Sequence, residues 1–247
     1  MTSRHIVWYS NGVTSAALAY LVTRRIPDAE VVLCDTMSSE HPDNRRFLND
    51  VEKWIGKKIT VIRSDRFSDV NQVIEKIKFM SSINGAPCTN YLKRLPRKDF
   101  QLPDDTHHFG FSVEEATRAA RFEHNNPSLT VEWDLIDAGI TKNECLDWLS
   151  SAGIGLPAMY ALGYEHNNCI GCVKSQSAGY WNKVRRDFPD VYAIRERQEQ
   201  MTGAKLIRLS GGARCTLAEL REYYPDNEDP QDDIDCGPLC VSPEERR

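Results

Sequence analysis

Residues Ile6 to Leu21, IVWYSNGVTSAALAYL, hold a strand, a turn and a helix start in one short stretch, and that order constrains the fold more than any other feature. Ile6, Val7, Trp8 and Tyr9 form a β-prone run. Ser10, Asn11 and Gly12 supply a turn, and the apolar residues and alanines from Val13 to Leu21 predict a packed helix. A strand–turn–helix unit aims unpaired backbone N–H groups and the positive end of a helix dipole at one point, where a pyrophosphate fits. Ser10, Thr14 and Ser15 add hydroxyl donors, and Gly12 lets the backbone come close. A serine-capped turn without a ligand is the plainer alternative. Neither the Walker lysine pattern nor the GxGxxG fingerprint occurs in this stretch.

The front half continues the alternation. Glu30 to Cys34 reads as a second strand, ending at Asp35, where ligands often meet the carboxyl end of a parallel strand. Asn44 to Ile55 predicts a helix, Ile59 to Ile62 a third strand, and Val70 to Phe79 another helix. His108 to Phe111 predicts a fourth strand, followed by a charged helix from Val113 to Phe122. Short strands separated by helices imply an α/β fold, a doubly wound parallel sheet covered on both faces. We divide the chain into a nucleotide-binding α/β core, 1–135, and a helical, cysteine-rich region, 136–247, packed on that core. In the second part Thr141 and Glu144 form a capping box, and Pro225 to Asp235 reads as an exposed loop or mobile arm.

The 247 residues suffice for one large α/β domain with an appendage, and a formal charge of −5 argues against a generally basic nucleic-acid coat. No apolar run reaches the length of a membrane span and the N-terminus lacks a signal-peptide pattern, so a cytoplasmic location is expected. There, eight cysteines read as metal ligands, catalytic thiols or buried apolar residues before they read as disulfides. Cys169 and Cys172 flank Ile170 and Gly171 in a Cys-x-x-Cys loop that can aim two thiolates at one metal. Cys88, Cys236 and Cys240 are the sources of the remaining ligands. Thiolates suit zinc and iron–sulfur alike. Cys34 and Cys145 read as structural, and Cys215 as buried.

Four short motifs resemble one superfamily. Ser10, Asn11, Gly12, Val13, Thr14 and Ser15 resemble the PP-loop of the adenine nucleotide α-hydrolases, Ser-Gly-Gly-x-(Asp/Thr)-Ser, with Asn11 in place of a glycine. Asparagine is among the residues that enter left-handed backbone, so the exchange is tolerable. Asp35 to Phe47 resembles the second motif, which makes Asp35 a contact for ribose, Mg²⁺ or adenine; a turn cap is its plain alternative. The run from Cys88 to Pro96 is similar to the Cys-x-x-x-x-Lys-x-x-Pro segment of phosphoadenosine phosphosulfate (PAPS) reductases, where the lysine, here Lys93, faces the anionic group. Arg118 and Arg121 occupy the region of that family's anion-binding arginines, although part of their cluster with Glu114 and Glu115 must be helix pairing.

The resemblance implies more than the spacing does. In assimilatory sulfonucleotide reductases a cysteine motif before the lysine and a later Cys-x-x-Cys hold a 4Fe–4S cluster, and Cys88, Cys169 and Cys172 match three of the four ligands. Cys236 or Cys240 is the replacement for the fourth, unless one iron stays open as in iron–sulfur tRNA-thiolation enzymes. Asp235, Cys236, Gly237 and Pro238 resemble the reductase tail whose cysteine attacks the sulfate sulfur. Two chemistries follow. An oxidoreductase would reduce PAPS or adenylyl sulfate, using Cys236 and a thiol carrier. An ATP pyrophosphatase would use Mg²⁺ and ATP to activate a nucleic acid or other acceptor for sulfur transfer from a donor. A homodimer is compatible with either. A nucleotide- or nucleic-acid-binding module with structural zinc and no turnover is the non-enzymatic alternative. Trp181, Arg185, Arg186 and Lys174 read as a cationic wall or as a solvated helix face, and Tyr160 as scaffold.

Overall fold

The computed structural model describes residues 3–82 and 85–231. In chain order the elements are β1 (His5–Tyr9), α1 (Val13–Arg25), β2 (Glu30–Cys34), α2 (Asn44–Ile55), β3 (Thr60–Ile62), α3 (Val70–Ile77), α4 (Pro87–Thr89), α5 (Leu95–Phe100), β4 (Thr106–Phe109), α6 (Ala116–Asn125) and β5 (Thr130–Glu132). They continue with α7 (Asp134–Asp137), α8 (Lys142–Ser151), α9 (Ala158–Ala161), α10 (Ala178–Asp187), α11 (Pro189–Thr202), β6 (Ile207–Arg208), β7 (Arg214–Cys215) and α12 (Leu217–Tyr223). The five strands β1 to β5 form one sheet in the order β3-β2-β1-β4-β5, every pair parallel.

Strand alternation explains the two covered faces. Val7, Tyr9, Val31 and Leu33 point into a core closed by α1, α2 and α8, which contribute Leu18, Val22, Phe47, Val51, Cys145 and Leu149. Ile6, Trp8, Val32 and Cys34 point the other way, onto Phe109, Phe111, Trp133 and the Ala119 and Phe122 face of α6. A third cluster joins α3 and α4 to α10, α11 and α12, with Trp181 fully buried at its centre. The capping box of α8 forms as expected: Thr141 Oγ1 accepts from Glu144 N at 3.1 Å, and Thr141 N donates to Glu144 Oε2 at 2.8 Å.

One strand was missed, and one side chain lies elsewhere than expected. The edge strand β5 was not anticipated; its three residues carry little periodicity, and pairing with β4 rather than propensity makes them a strand. Trp181 belongs to the core and to no cationic wall, while Arg185 donates to the Pro225 carbonyl at 2.9 Å. The acidic arm, over its described part, is the exposed loop expected, and hydrogen bonds anchor it. Asn182 Nδ2 donates to the carbonyls of Tyr224 and Asn227 at 2.9 and 3.0 Å, and Ser177 Oγ to that of Asp229 at 3.1 Å. Gly179 makes room for it, since a Cβ there would lie 2.1 Å from the Asp229 oxygen. Cys236 and Cys240 lie outside the described residues. Among the described residues no helix is long and apolar enough to cross a membrane.

Candidate nucleotide and thiolate site

The chain runs β1, β2, β3 toward one edge and then crosses to β4 on the other side of β1, so the winding reverses between β1 and β4. In open α/β sheets ligands bind outside the carboxyl ends of the strands at such a reversal. A cleft of about 400 Å³ lies there, lined by Trp8, Ser10, Gly12, Val13, Thr14 and Ser15 on the β1 side and by Phe109 to Ser112 on the β4 side. Ser15 organises the loop. Its Oγ accepts from the N–H groups of Ser10 and Gly12 at 3.1 and 3.3 Å and donates to the Gly12 carbonyl at 2.9 Å. The first-turn N–H groups of α1 have no intrahelical acceptor, and a helix end of this kind favours an anion.

Gly110 was missed by sequence reasoning. A Cβ on it would lie 2.8 Å from Ser15 Cα and 2.9 Å from Ser15 N, so only glycine lets β4 end against the loop. Gly110→Ala should lower nucleotide turnover about 100-fold, because a displacement of about 1 Å at a reacting site costs that much. Steady-state kinetics alongside the wild type checks it, and unchanged turnover would show that the close approach is unimportant.

Asn11 takes up the expected left-handed conformation, φ 62°, and is fully buried behind the loop. Its Oδ1 accepts from Tyr9 Oη at 3.0 Å, and its carbonyl accepts from Asn167 Nδ2 at 2.7 Å. Asn167 Nδ2 also donates to Asn44 Oδ1 at 2.9 Å, and Asn44 Nδ2 to Glu40 Oε2 at 2.8 Å. The asparagine that departs from the PP-loop pattern is therefore a structural tie between the loop, α2 and the segment leading to Cys169. Asn11→Ala strands the buried Tyr9 hydroxyl and puts a Cβ residue without amide bonding at positive φ. A loss of about 1–3 kcal/mol is expected, read by denaturant unfolding.

Lys93 and Arg118 also line the cleft, with Lys142, His166 and the carboxylates Glu40, Glu114, Glu115 and Glu165. Lys93 is 9% exposed. It is carried by a π-helical turn, Asn90–Arg94, between α4 and α5, a distortion frequent at functional sites. Arg118 pairs with Glu115 and stacks over Phe111 at 4.3 Å, so part of its cluster is helix pairing as expected. Tyr160 lines the cleft too, its hydroxyl pushed up to about 12 by burial. Two predicted contacts lie elsewhere. Arg121 is exposed on α6 and does not line the cleft. Asp35 lines a neighbouring cleft with Arg45 and Arg63, where it accepts from Arg63 Nε at 2.8 Å.

Cys88, at the start of the segment that carries Lys93, is buried in one cluster with Cys169 and Cys172. The Cys169–Cys172 loop is held from three sides. Ile170 N donates to the Ser39 carbonyl at 2.9 Å, Cys172 N to Tyr180 Oη at 2.9 Å, and Gly171 adopts φ 61° with its carbonyl accepting from Arg195 Nε at 2.8 Å. Burial lowers the pKa of Arg195, and the Cys169, Cys88 and Cys172 thiols oppose that shift. Buried cysteines beside a buried cation have the donor chemistry of a thiolate-bound metal or cluster, whose ligands must be anionic. Cys34 and Cys145 sit in the sheet cores, where burial pushes each thiol up to about 12, for Cys34 against the opposing charges of Lys93 and Arg97. Cys215 is buried, as expected.

A histidine and carboxylate cluster, His5, His108 and Glu132, lies on β1, β4 and β5. The facing nitrogens of the two imidazoles are 3.0 Å apart and the ring centroids 5.2 Å, which places both nitrogens nearly on the line between the rings. That is the head-on geometry of an N–H···N bond, not of two ligands converging on an ion. His108 Nδ1 is bonded to Asp134 at 2.6 Å, and Arg25 bridges Glu132 and Asp134.

A five-stranded parallel sheet wound about a Ser-x-Gly-x-x-Ser loop defines a PP-loop α/β fold. Within it the chain has the PAPS reductase-like fold: it superposes on the phosphate complex of PAPS reductase from Candida auris with a TM-score of 0.51 and 11% identity, over 68% of this chain and 82% of that one. The U34-tRNA thiolase NcsA from Methanococcus maripaludis, solved with its 4Fe-4S cluster, aligns with a TM-score of 0.42 and 12% identity, over 98% of this chain and 78% of that one. No protein-family model and no curated protein matches the sequence.

Proposed function

We propose that this chain is an enzyme that binds an adenine nucleotide, ATP or a sulfonucleotide, with its phosphates at Ser10 to Ser15, and performs sulfur chemistry beside a cysteine-ligated centre. The observation that carries the reading is the placement of one short segment. Lys93 opens on the phosphate cleft, while Cys88, at the start of the same segment, is buried with Cys169 and Cys172. A nucleotide held at the loop is thus adjacent to the thiolate site, and a lysine in the cleft offsets the phosphate or sulfate charge. Arg118 adds a second cation to that cleft.

Cys88, Cys169 and Cys172 would hold a 4Fe–4S cluster, or a zinc ion, with Cys236 or Cys240 as the fourth ligand; in the reductase version, where Cys236 is the nucleophile, that ligand is Cys240. Such a cluster supplies electron transfer or an anchoring point for sulfur. In the reductase version the Cys236 thiolate attacks the sulfate sulfur of the bound sulfonucleotide. The sulfur–oxygen bond to the phosphate breaks and the adenosine phosphate leaves. A thiol carrier then attacks the Cys236 sulfur, releasing sulfite and leaving a disulfide. In the pyrophosphatase version ATP with Mg²⁺ adenylates an acceptor oxygen and pyrophosphate leaves; sulfide-level sulfur from a donor then bonds to the activated carbon and AMP departs with the oxygen. A nucleic acid is the acceptor class we favour for that version.

Product analysis separates them. Sulfite release from PAPS or adenylyl sulfate with a reduced thiol carrier, abolished in Cys236→Ser, supports reduction. Pyrophosphate release from ATP with Mg²⁺ supports activation. Full sulfite release by Cys236→Ser would remove that cysteine from the nucleophile's role, and nucleotide binding without any product under either regime would leave the binding module as the better reading.

A further inference from the structure

Arg195 of α11 is 2% exposed, and its hydrogen bonds all go to neutral oxygens. Nε donates to the Gly171 carbonyl at 2.8 Å, and Nη1 donates to Gln198 Oε1 at 2.7 Å and to Asn71 Oδ1. Among the described residues no carboxylate pairs with it. Glu199, one turn further along α11, is the obvious partner by spacing, yet its two oxygens accept from Leu206 N at 2.8 Å and Leu217 N at 2.6 Å. A guanidinium taken out of water costs several kcal/mol unless an anion accompanies it. A neutral amide could have supplied the bond to Gly171. The retained charge therefore asks for negative charge nearby, and the groups that favour it are the thiols of Cys169, Cys88 and Cys172 and, after them, the Tyr180 hydroxyl; of these, the two that flank Gly171 are tied to Arg195 through its bond to the Gly171 carbonyl.

We propose that Arg195 is the counter-cation of the Cys88–Cys169–Cys172 site, a positioning residue that holds the Gly171 turn and offsets the negative charge of a thiolate-bound metal or cluster. The inference rests on the metal reading given above and adds the residue that tunes it. A positive charge beside an anionic cluster favours its more reduced, more negative state, so removing that charge makes reduction harder. The same loss weakens the hold on either metal, because the bound thiolates then lack their compensating charge.

The test uses full-length protein purified without oxygen, with two readouts besides activity: the midpoint potential of the bound centre and the rate at which a chelator strips the metal. Arg195→Gln should lower the potential by about 59 mV or more, a tenfold change in a one-electron equilibrium, and speed metal loss about tenfold. Arg195→Lys, which keeps the charge, should stay within about threefold of wild type on the same scale. Gln198→Glu places a carboxylate on the Arg195 guanidinium without deleting it and should shift both readouts in the direction of Arg195→Gln; it serves where Arg195→Gln does not fold. The chelator assay alone decides for a redox-silent zinc. Unchanged potential and metal loss in Arg195→Gln or Gln198→Glu would overturn the proposal while leaving the metal reading standing. Equal shifts in Arg195→Lys and Arg195→Gln would assign the effect to hydrogen bonding and overturn it too. Wild-type protein without thiolate-bound metal would overturn both.

Discussion

Replacing Lys93 by alanine is expected to lower turnover about 100- to 1,000-fold, the cost typical of removing one preorganised donor from a developing charge. Lys93 is held by a backbone distortion rather than by chance of a flexible stem: the π-helical turn Asn90–Arg94 carries it, and its own carbonyl accepts from Cys34 Sγ at 3.4 Å. The side chain is nine-tenths buried with its cleft face open, so its charge acts where water is scarce. If Lys93 acts on charge that grows during reaction, kcat falls and KM changes little. If it only holds the ground-state phosphates, KM rises and kcat survives. Steady-state kinetics of product release, with nucleotide binding measured separately, reads the difference, and unchanged values of both would remove Lys93 from the site.

Cys169→Ser is expected to have the second large effect, loss of most bound metal together with the stability that binding provides. A ligand held at 1,000 times its Kd contributes about 4 kcal/mol by linkage, so the unfolding midpoint should fall markedly. Cys145→Ser is the control. Cys145 is fully buried against the sheet, in the core shared by α1 and α8, and belongs to no group of sulfur donors described here. It should keep the full metal content and lose only packing. Metal content that is equal in the two variants would detach Cys169 from the site.

Much of the fold was legible because its signals are local. The boundaries of β2 and α2 agree with the apolar run Glu30–Cys34 and the amphipathic stretch Asn44–Ile55, and the capping box of α8 lies in Thr141 and Glu144 themselves. The phosphate loop was legible because a strand, a small-residue turn and an alanine-rich helix occur without a gap. What escaped is long-range. β5 exists only through β4, and the described part of the acidic arm, Pro225 to Gln231, is fixed by side chains of α10 that its own composition does not announce. Gly110 carried a weak signal, a glycine just past a strand on the far side of the winding reversal.

The site itself was legible in its residue types and less so in its geometry. Ser10 to Ser15, Lys93 and Arg118 converge, whereas Asp35 and Arg121 sit elsewhere, because a register of one strand or one helix face decides which cleft a side chain meets. Asn11 looked like a flaw in a glycine pattern and is instead bonded on every side. Asn167 and Arg195 gave no signal, since a buried amide or cation is recognisable only from the partners around it.

Whether the phosphate cradle works beside a thiolate-bound centre is read from iron, zinc and acid-labile sulfide in protein purified without oxygen, together with its visible spectrum. Stoichiometric thiolate-bound metal is expected, with iron, sulfide and a brown charge-transfer absorption if the centre is a cluster, all lost in Cys169→Ser. Colourless wild-type protein with neither iron nor zinc, still binding and turning over an adenine nucleotide, would contradict it.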